Sequence, residues 1–181
     1  MKRTDLEHII RAAAAITNQY EFVIIGSQSI LGEAPNAPEE LCFSMEADIY
    51  ALVDPSASDL IDGSIGEYSP FHERFGYYAQ GVSSETAKLP AGWESRLVKV
   101  QNANTDLKIG YCLELHDLAA SKLAAGREKD FEFVKAMFDH KMIDTETLQQ
   151  RVASLDVDEK IKYICKGWID QQTRRTKRST P

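Results

Sequence analysis

The hydrophobic pattern of the first part of the chain alternates between a helical period and short apolar runs. Apolar residues recur at helical spacing over residues 4–17, which predicts a helix with Thr4 as its N-cap. The apolar run 22–25 predicts a buried strand. Gly26 ends that strand, and residues 27–31 are typical of a short helix that opens directly after the turn.

The rest of the chain continues this alternation and then changes to helices. Further strands are predicted over residues 46–53, 77–82 and 96–100. Further helices are predicted over residues 54–65, 71–75, 115–125, 129–139, 144–154 and 157–172. Asp144 and Asp156 stand at the N-cap positions of the last two helices. These elements predict an α/β fold of the α+β kind, in which a small mixed β-sheet flanked by helices occupies residues 1–114. A C-terminal helical region, residues 115–181, is expected to pack on that core.

Composition favours a cytoplasmic protein with no membrane segment. Of 181 residues, 43% are hydrophobic, which suffices for a sizeable core. No stretch approaches the roughly 18 consecutive apolar residues of a transmembrane helix, and the start of the chain lacks the apolar centre of a signal peptide. Cys42, Cys112 and Cys165 lie far apart without CxxC spacing, which argues against a zinc site or a disulfide framework.

The net charge of −7 argues against a broad electrostatic surface for nucleic acid. A basic tail over residues 174–178 is the exception, and it contains Arg174, Arg175, Lys177 and Arg178. We interpret this tail as a solvated, frayed terminus, because chain ends are often disordered. Contact with RNA, DNA or a phosphate-bearing partner is the alternative.

Two carboxylates at strand spacing form the strongest candidate site. Glu46 and Asp48 project from the same face if residues 46–50 form a strand. A pair of this kind beside the Gly26-Ser27 turn suits Mg²⁺, which takes one or two protein carboxylates and completes its coordination with water and phosphates. The alternative is that both residues mark the solvent face of an edge strand. Because like charges on one face repel, we favour a divalent metal site.

The same residues resemble the nucleotidyltransferase superfamily. A strand that ends in Gly26-Ser27, a short helix and then the pair Glu46 and Asp48 is similar to the turn and the acidic pair of that superfamily. A second segment, residues 115–130, resembles the signature of nucleotidyltransferase-like proteins of the abortive-infection toxin (AbiEii-like) group. Those proteins place a Lys, an Arg and an Asp on helices that follow the sheet.

This resemblance implies a sheet of the nucleotidyltransferase type and chemistry on a nucleoside triphosphate. A nucleoside monophosphate would be transferred to a hydroxyl on RNA, on a protein or on a small molecule. Glu46 and Asp48 would hold Mg²⁺ or Mn²⁺, while Gly26 and Ser27 would contact the nucleotide phosphates. The resemblance also implies the toxin of a toxin–antitoxin pair, with a cognate antitoxin as partner.

The second segment adds three residues to the implied site. Lys122 is expected to take part in catalysis and, together with Arg127, to contact phosphate or substrate. Asp130 is expected to orient one of these cations or to close the helix pair. The alternative is an ordinary exposed helix face with local ion pairs, each of which contributes little stability.

The sequence departs from the family pattern at the metal site. Glu46 stands where Asp is commoner, and the stretch between Ser27 and Glu46 is longer than usual. Active members usually supply a third carboxylate from a later strand, and the strand predicted over residues 96–100 contains none. Asp106, in a predicted turn, and Glu73 are the candidates for that role. The alternative function is therefore a catalytically inactive protein of this fold that binds a nucleotide or a partner.

Histidine and aromatic residues are interpreted as structural. His72 lies in a predicted short helix and His116 at a predicted helix start, where capping or packing is sufficient to explain it. The stripe of Phe131, Val134 and Phe138 is more typical of a helical core than of a base-stacking surface.

Overall fold

The computed structural model describes the backbone of residues 1–178 and the side chains of residues 1–174. The chain divides into two compact units. The first unit combines Met1–Ala87 with Arg96–Glu114, and the second combines Lys88–Ser95 with the chain from Leu115 onward. No helix in the described part is both long enough and apolar enough to cross a bilayer.

The first unit contains a mixed sheet of five strands. The strands are β1 (Glu21–Ile25), β2 (Glu46–Ala51), β3 (Tyr78–Gly81), β4 (Val98–Val100) and β5 (Ile109–Cys112). Their order across the sheet is β3-β2-β1-β5-β4. Strand β1 pairs antiparallel with β2 and parallel with β5, while β3 runs parallel to β2 and β4 antiparallel to β5. The predicted small mixed sheet is therefore confirmed.

Four helices belong to the same unit as the sheet. They are α1 (Arg3–Thr17), α2 (Ile30–Glu33), α3 (Ser58–Ile65) and α4 (Pro70–Phe75). Phe22, Ile24 and Ile49 are fully buried on one face of the sheet. Helix α1 packs on this face, because a Cβ at Gly110 would lie 2.4 Å from Cδ1 of Ile10 and 2.8 Å from Cδ1 of Ile24. The polar side chains of β2 therefore project from the opposite face of the sheet.

The second unit consists mainly of helices. They are α5 (Leu115–Ala125), α6 (Glu128–Asp139), α7 (Thr145–Ala153) and α8 (Glu159–Arg178). Val134 and Met137 are fully buried, and the Trp168 ring lies 5.6 Å from Phe131 and 6.2 Å from Phe138 between ring centroids. The interpretation of the stripe on α6 as core is confirmed for Val134, while Phe131 and Phe138 are half-buried beside Trp168.

Two of the three predicted helix N-caps differ from those in the structure. Helix α1 starts at Arg3, with Lys2 rather than Thr4 at the N-cap. Asp144 does cap α7, since its carboxylate accepts a hydrogen bond from the Thr147 amide at 2.8 Å. For α8, the capping carboxylate is Asp158 rather than Asp156, because Asp158 accepts from the Lys160 amide at 2.7 Å.

The last helix also extends further than predicted. Helix α8 continues past residue 172 to Arg178, so the backbone of the basic tail is helical. The predicted end of this helix at residue 172 is therefore wrong. Arg174 is exposed to solvent, and the side chains of Arg175, Lys177 and Arg178 lie outside the described residues.

Candidate functional site

The turn after β1 depends on a glycine that brings a carboxylate close to the backbone. Gly26 has φ +67° and ψ −165°, a conformation that residues with a side chain rarely adopt. A Cβ at this position would lie only 1.8 Å from Oδ2 of Asp48. Ile25 and Asp48 are register partners in the antiparallel β1–β2 pair. The fold therefore places the Asp48 carboxylate directly against the turn.

Both carboxylates of β2 lie on the face of the sheet that includes this turn. Glu46 and Asp48 are half-buried, whereas Ala47 between them is fully buried. The strand is interior, because β2 is flanked by β3 and β1. The alternative placed this pair on the solvent face of an edge strand. That alternative is wrong, because β2 is not an edge strand.

A tyrosine that the sequence did not indicate orients one of the carboxylates. Glu46 and Tyr78 are register partners in the parallel β2–β3 pair, and the Tyr78 hydroxyl donates a hydrogen bond to Oε2 of Glu46 at 2.9 Å. Burial and this hydrogen bond to Glu46 both raise the pKa of Tyr78. The phenol therefore remains a donor at neutral pH.

A third acidic ligand is not assembled within the described residues. Among them, no group of three His, Cys, Asp or Glu side chains is arranged to hold a metal ion. Asp106 follows the 3-10 turn Ala103–Thr105 and has φ +52°, and Glu73 is exposed on α4. Neither is grouped with Glu46 and Asp48 in such a set, so the sequence-based candidates for the third ligand are wrong.

The chemistry of the two carboxylates nevertheless fits a hard divalent cation. Mg²⁺ accepts oxygen ligands and is usually bound through one or two protein carboxylates, with water and substrate phosphates in the remaining positions. Glu46 and Asp48 supply two carboxylates on one face of β2, and Asp48 lies beside Gly26, which has no side chain. They could hold Mg²⁺ or Mn²⁺ by this criterion.

The turn also contains buried polar atoms that sequence reasoning missed. Gln28 and Ser29 are fully buried in the 3-10 turn Ser27–Ser29. Within the described part of the chain, neither Nε2 nor Oε1 of Gln28 has a hydrogen-bond partner, and the same holds for Oγ of Ser29. Buried polar groups without partners are uncommon and costly. Hydrogen bonds within the described part of the fold therefore do not explain why Gln28 and Ser29 are polar.

The second group of predicted residues forms a buried ion cluster in the helical unit. Asp130, on α6, is fully buried and accepts hydrogen bonds from Nζ of Lys122 at 3.2 Å and from Nε of Arg127 at 2.6 Å. The Lys122 ammonium lies 4.4 Å from the centroid of the Phe133 ring. Asp130 thus orients two cations rather than one.

Burial separates this cluster from an ordinary helix surface. Burial alone would raise the pKa of Asp130, but hydrogen bonds from Arg127 and the charge and hydrogen bond of Lys122 outweigh it, so the pKa is lowered. Lys122 is 8% exposed and Asp130 is 0% exposed, so the alternative of an exposed face is wrong for these two residues. It holds for Arg127, whose side chain is 63% exposed.

The helical unit contains a second buried ion pair and the predicted structural histidine. Asp117 is fully buried, and its Oδ1 lies 3.0 Å from Nε of Arg151. Nε2 of His116 accepts a hydrogen bond from the Asp144 amide at 3.1 Å and lies 3.2 Å from the Asp144 carboxylate. His116 therefore joins the start of α5 to the start of α7, as its interpretation as a capping or packing residue requires.

A mixed sheet with an acidic pair on the strand beside a glycine-serine turn resembles the arrangement of nucleotidyltransferase-like proteins. The family model described as "Nucleotidyltransferase of unknown function (DUF6036)" matches residues 4–172. The chain belongs to this family, and the resemblance to nucleotidyltransferases is confirmed. No curated protein and no solved structure gives a significant match.

The buried cluster predicts a stability effect with a defined pH dependence. Asp130→Asn should destabilise the protein by about 3–5 kcal/mol at neutral pH, because it leaves Lys122 without its buried counter-charge. Since the pKa of Asp130 is lowered in the folded state, its contribution is fully present above the ordinary carboxyl pKa. The contribution is lost as pH falls through the lowered value, so wild type and variant should converge in acid. Urea denaturation across this pH range measures the difference.

The matched control is Asp139→Asn on the same helix. Asp139 pairs with Lys135 in an i,i+4 arrangement in which both side chains are about half exposed, and exposed pairs of this kind contribute about 1 kcal/mol or less. Equal losses for the two variants would show that burial of Asp130 does not distinguish its ion pairs from a surface pair.

Proposed function

We propose that the protein is a Mg²⁺- or Mn²⁺-dependent nucleotidyltransferase that transfers a nucleoside monophosphate from a nucleoside triphosphate to a hydroxyl acceptor. One observation carries this proposal: the Asp48 carboxylate lies against Gly26, on the same face of β2 as Glu46. Membership of a nucleotidyltransferase family supports the reaction class. In this proposal, Glu46 and Asp48 are the metal ligands.

The residues of the turn and of β2 have separate tasks in this reaction. Gly26 has no side chain, which leaves room for the Asp48 carboxylate beside the turn. The backbone and hydroxyl of Ser27 supply hydrogen-bond donors to a phosphate. Tyr78 holds the Glu46 carboxylate through its hydroxyl. When bound, the cation would offset phosphate charge and align the attacking hydroxyl with the pyrophosphate leaving group.

The helical cluster extends the proposal to phosphate or substrate binding. Lys122 and Arg127 are the proposed contacts, and the resemblance of residues 115–130 to the toxin group supports this role. Asp130 acts on both cations, since it accepts hydrogen bonds from each of them. A cation whose position is fixed loses less conformational entropy when it binds an anion.

The acceptor and the biological context rest on the same resemblance. We propose a hydroxyl of RNA or protein as the acceptor, and a toxin role with a cognate antitoxin as partner. The segment 115–130 is the feature of the sequence that supports this context.

A second candidate function is supported by the incomplete set of acids. Within the described residues, no three candidate ligands are grouped around a metal position. A protein of this family that binds a nucleotide or a partner but does not catalyse nucleotidyl transfer would need no third carboxylate. This alternative shares the turn and the acidic pair with the enzyme and differs in the chemical step.

Removal of both carboxylates should abolish Mg²⁺-dependent triphosphate binding. In Glu46→Gln/Asp48→Asn, the cation loses both protein ligands, while the amides keep the size of the side chains. Two lost negative charges would by themselves favour an anion, so weaker binding identifies the cation as the link. Calorimetry with a nucleoside triphosphate, with and without Mg²⁺, measures the effect.

The control variant is Glu39→Gln/Asp59→Asn, which removes two exposed acids from the same unit. It has the same change in net charge and should bind as wild type does. Unchanged Mg²⁺-dependent binding in the Glu46→Gln/Asp48→Asn variant would exclude these residues as the metal site.

Loss of the buried lysine should weaken triphosphate binding more than loss of an exposed one. Lys122→Ala should reduce affinity about tenfold or more, because a hydrogen bond from a charged donor contributes about 1.5–3 kcal/mol. Lys135→Ala on α6 is the control, since Lys135 is about half exposed and pairs with Asp139. Affinities are compared by calorimetry after circular dichroism has shown that both variants are folded. Equal effects would contradict the assignment of Lys122.

A transfer assay separates the enzyme from the binding protein. Purified protein, Mg²⁺, each labelled nucleoside triphosphate in turn, and either total tRNA or a protein extract should give labelled acceptor. The Glu46→Gln/Asp48→Asn variant should give none. Triphosphate binding without transferred label for any triphosphate would favour the alternative function.

A further inference from the structure

A chain of aromatic rings leads from the acidic pair to the protein surface. The Tyr78 hydroxyl contacts Glu46, and the rings of His72 and Tyr78 lie 4.6 Å apart between centroids at an angle of 48°. The ring of Tyr68 lies 6.3 Å from that of His72 at 49°. All four residues belong to the unit that contains the sheet. We refer to Tyr68, His72 and Tyr78 as the aromatic platform.

The outer ring of the platform is exposed although its backbone is held in place. Tyr68 is 81% exposed, so its ring contributes little to the core. Its φ of +61° is uncommon for a residue with a large side chain. The Tyr68 amide donates to Nδ1 of His72 at 3.1 Å, and Ser69 caps α4 through the His72 amide. A strained and anchored backbone thus presents an aromatic face to solvent.

We propose that the aromatic platform binds a nucleobase, with Tyr68 as the outer stacking ring. This inference rests on the proposed function, because it takes the phosphates to lie at Gly26-Ser27 and the cation at Glu46 and Asp48. Aromatic side chains bind bases through their π faces, and each stacked base contributes about 1–3 kcal/mol. Tyr78 contacts Glu46 directly, so the platform starts at the metal ligand and extends outward.

The position of the platform suits a nucleoside better than a second phosphate group. Its members are two phenols and an imidazole, and Glu67 directly precedes Tyr68 in the chain. Nearby negative charge disfavours the binding of a phosphate group. A neutral base can stack on an aromatic ring whichever of the bases it is, because every base has a π face. A nucleobase reaches the site either as part of the triphosphate or as part of an RNA acceptor.

The test compares ligands that differ only in the presence of a base. Binding of each ribonucleoside triphosphate and of inorganic tripolyphosphate is measured by calorimetry in Mg²⁺, and binding of a short single-stranded RNA is measured in parallel. The variant is Tyr68→Asn, because Asn tolerates a positive φ and lacks the ring. Tyr68→Phe retains the ring. Tyr163→Asn is the matched control, since Tyr163 is 79% exposed in the other unit.

The platform predicts a loss that depends on the base. Tyr68→Asn should weaken triphosphate binding about thirtyfold, which corresponds to the middle of the stacking range, and should leave tripolyphosphate binding unchanged. Tyr68→Phe and Tyr163→Asn should bind both ligands as wild type does. Weaker RNA binding with unchanged triphosphate binding would also support the platform and would assign it to the acceptor base.

Failure of the platform is distinct from failure of the proposed function. If wild type binds triphosphate in Mg²⁺ and Tyr68→Asn binds triphosphate and RNA equally well, the platform is excluded and the metal site stands. Equal losses for triphosphate and tripolyphosphate would also exclude it, since the effect would not require a base. If wild type binds neither triphosphate nor tripolyphosphate, the proposed function fails, and the platform assignment fails with it.

Discussion

Residue 26 cannot carry a side chain, and the rest of the candidate site depends on this constraint. The Asp48 carboxylate occupies the space that a Cβ at Gly26 would need. The backbone of the turn has a conformation suited to glycine. One close approach between a backbone and a carboxylate therefore brings the end of β1 together with Asp48 on β2. The register of β2 and β3 places Tyr78 beside Glu46.

The two predicted groups of residues are stabilised in different ways. On the sheet, the two carboxylates lie on the same face of β2, and like charges on one face repel. In the helical unit, a single buried carboxylate is balanced by two cations, and hydrogen bonds offset the cost of burial. In the proposed function, the first group takes up positive charge from a divalent cation. Asp130, Lys122 and Arg127 together carry a net charge of +1, and the largely exposed guanidinium of Arg127 faces solvent.

Local patterns predicted most of the fold and the acidic pair. The apolar run of β1, Gly26 and the spacing of Glu46 and Asp48 are short-range signals, because strand periodicity alone decides which side chains share a face. Strand β5 (Ile109–Cys112) was missed, since it is short and contains Gly110. The absence of a side chain at Gly110 serves the packing of Ile10, which is distant in sequence.

Features that depend on pairing between distant segments could not be predicted. The contact of Tyr78 with Glu46 requires the register of β2 and β3, which no local pattern specifies. Asp130 resembles a surface acid in the sequence, and only the packing of α5 against α6 shows that it is buried with Lys122. The burial of Gln28 likewise follows from the fold, as glutamine is usually exposed.

The register of β2 and β3 also determines what stands beside Asp48. Its partner on the parallel strand is Gln80, and register partners project from the same face of a sheet. Glutamine and glutamate have the same length and shape and differ by an amide in place of a carboxylate oxygen. The sheet therefore already has a side chain of suitable size next to Asp48, and a two-acid and a three-acid version of this face are a single codon change apart.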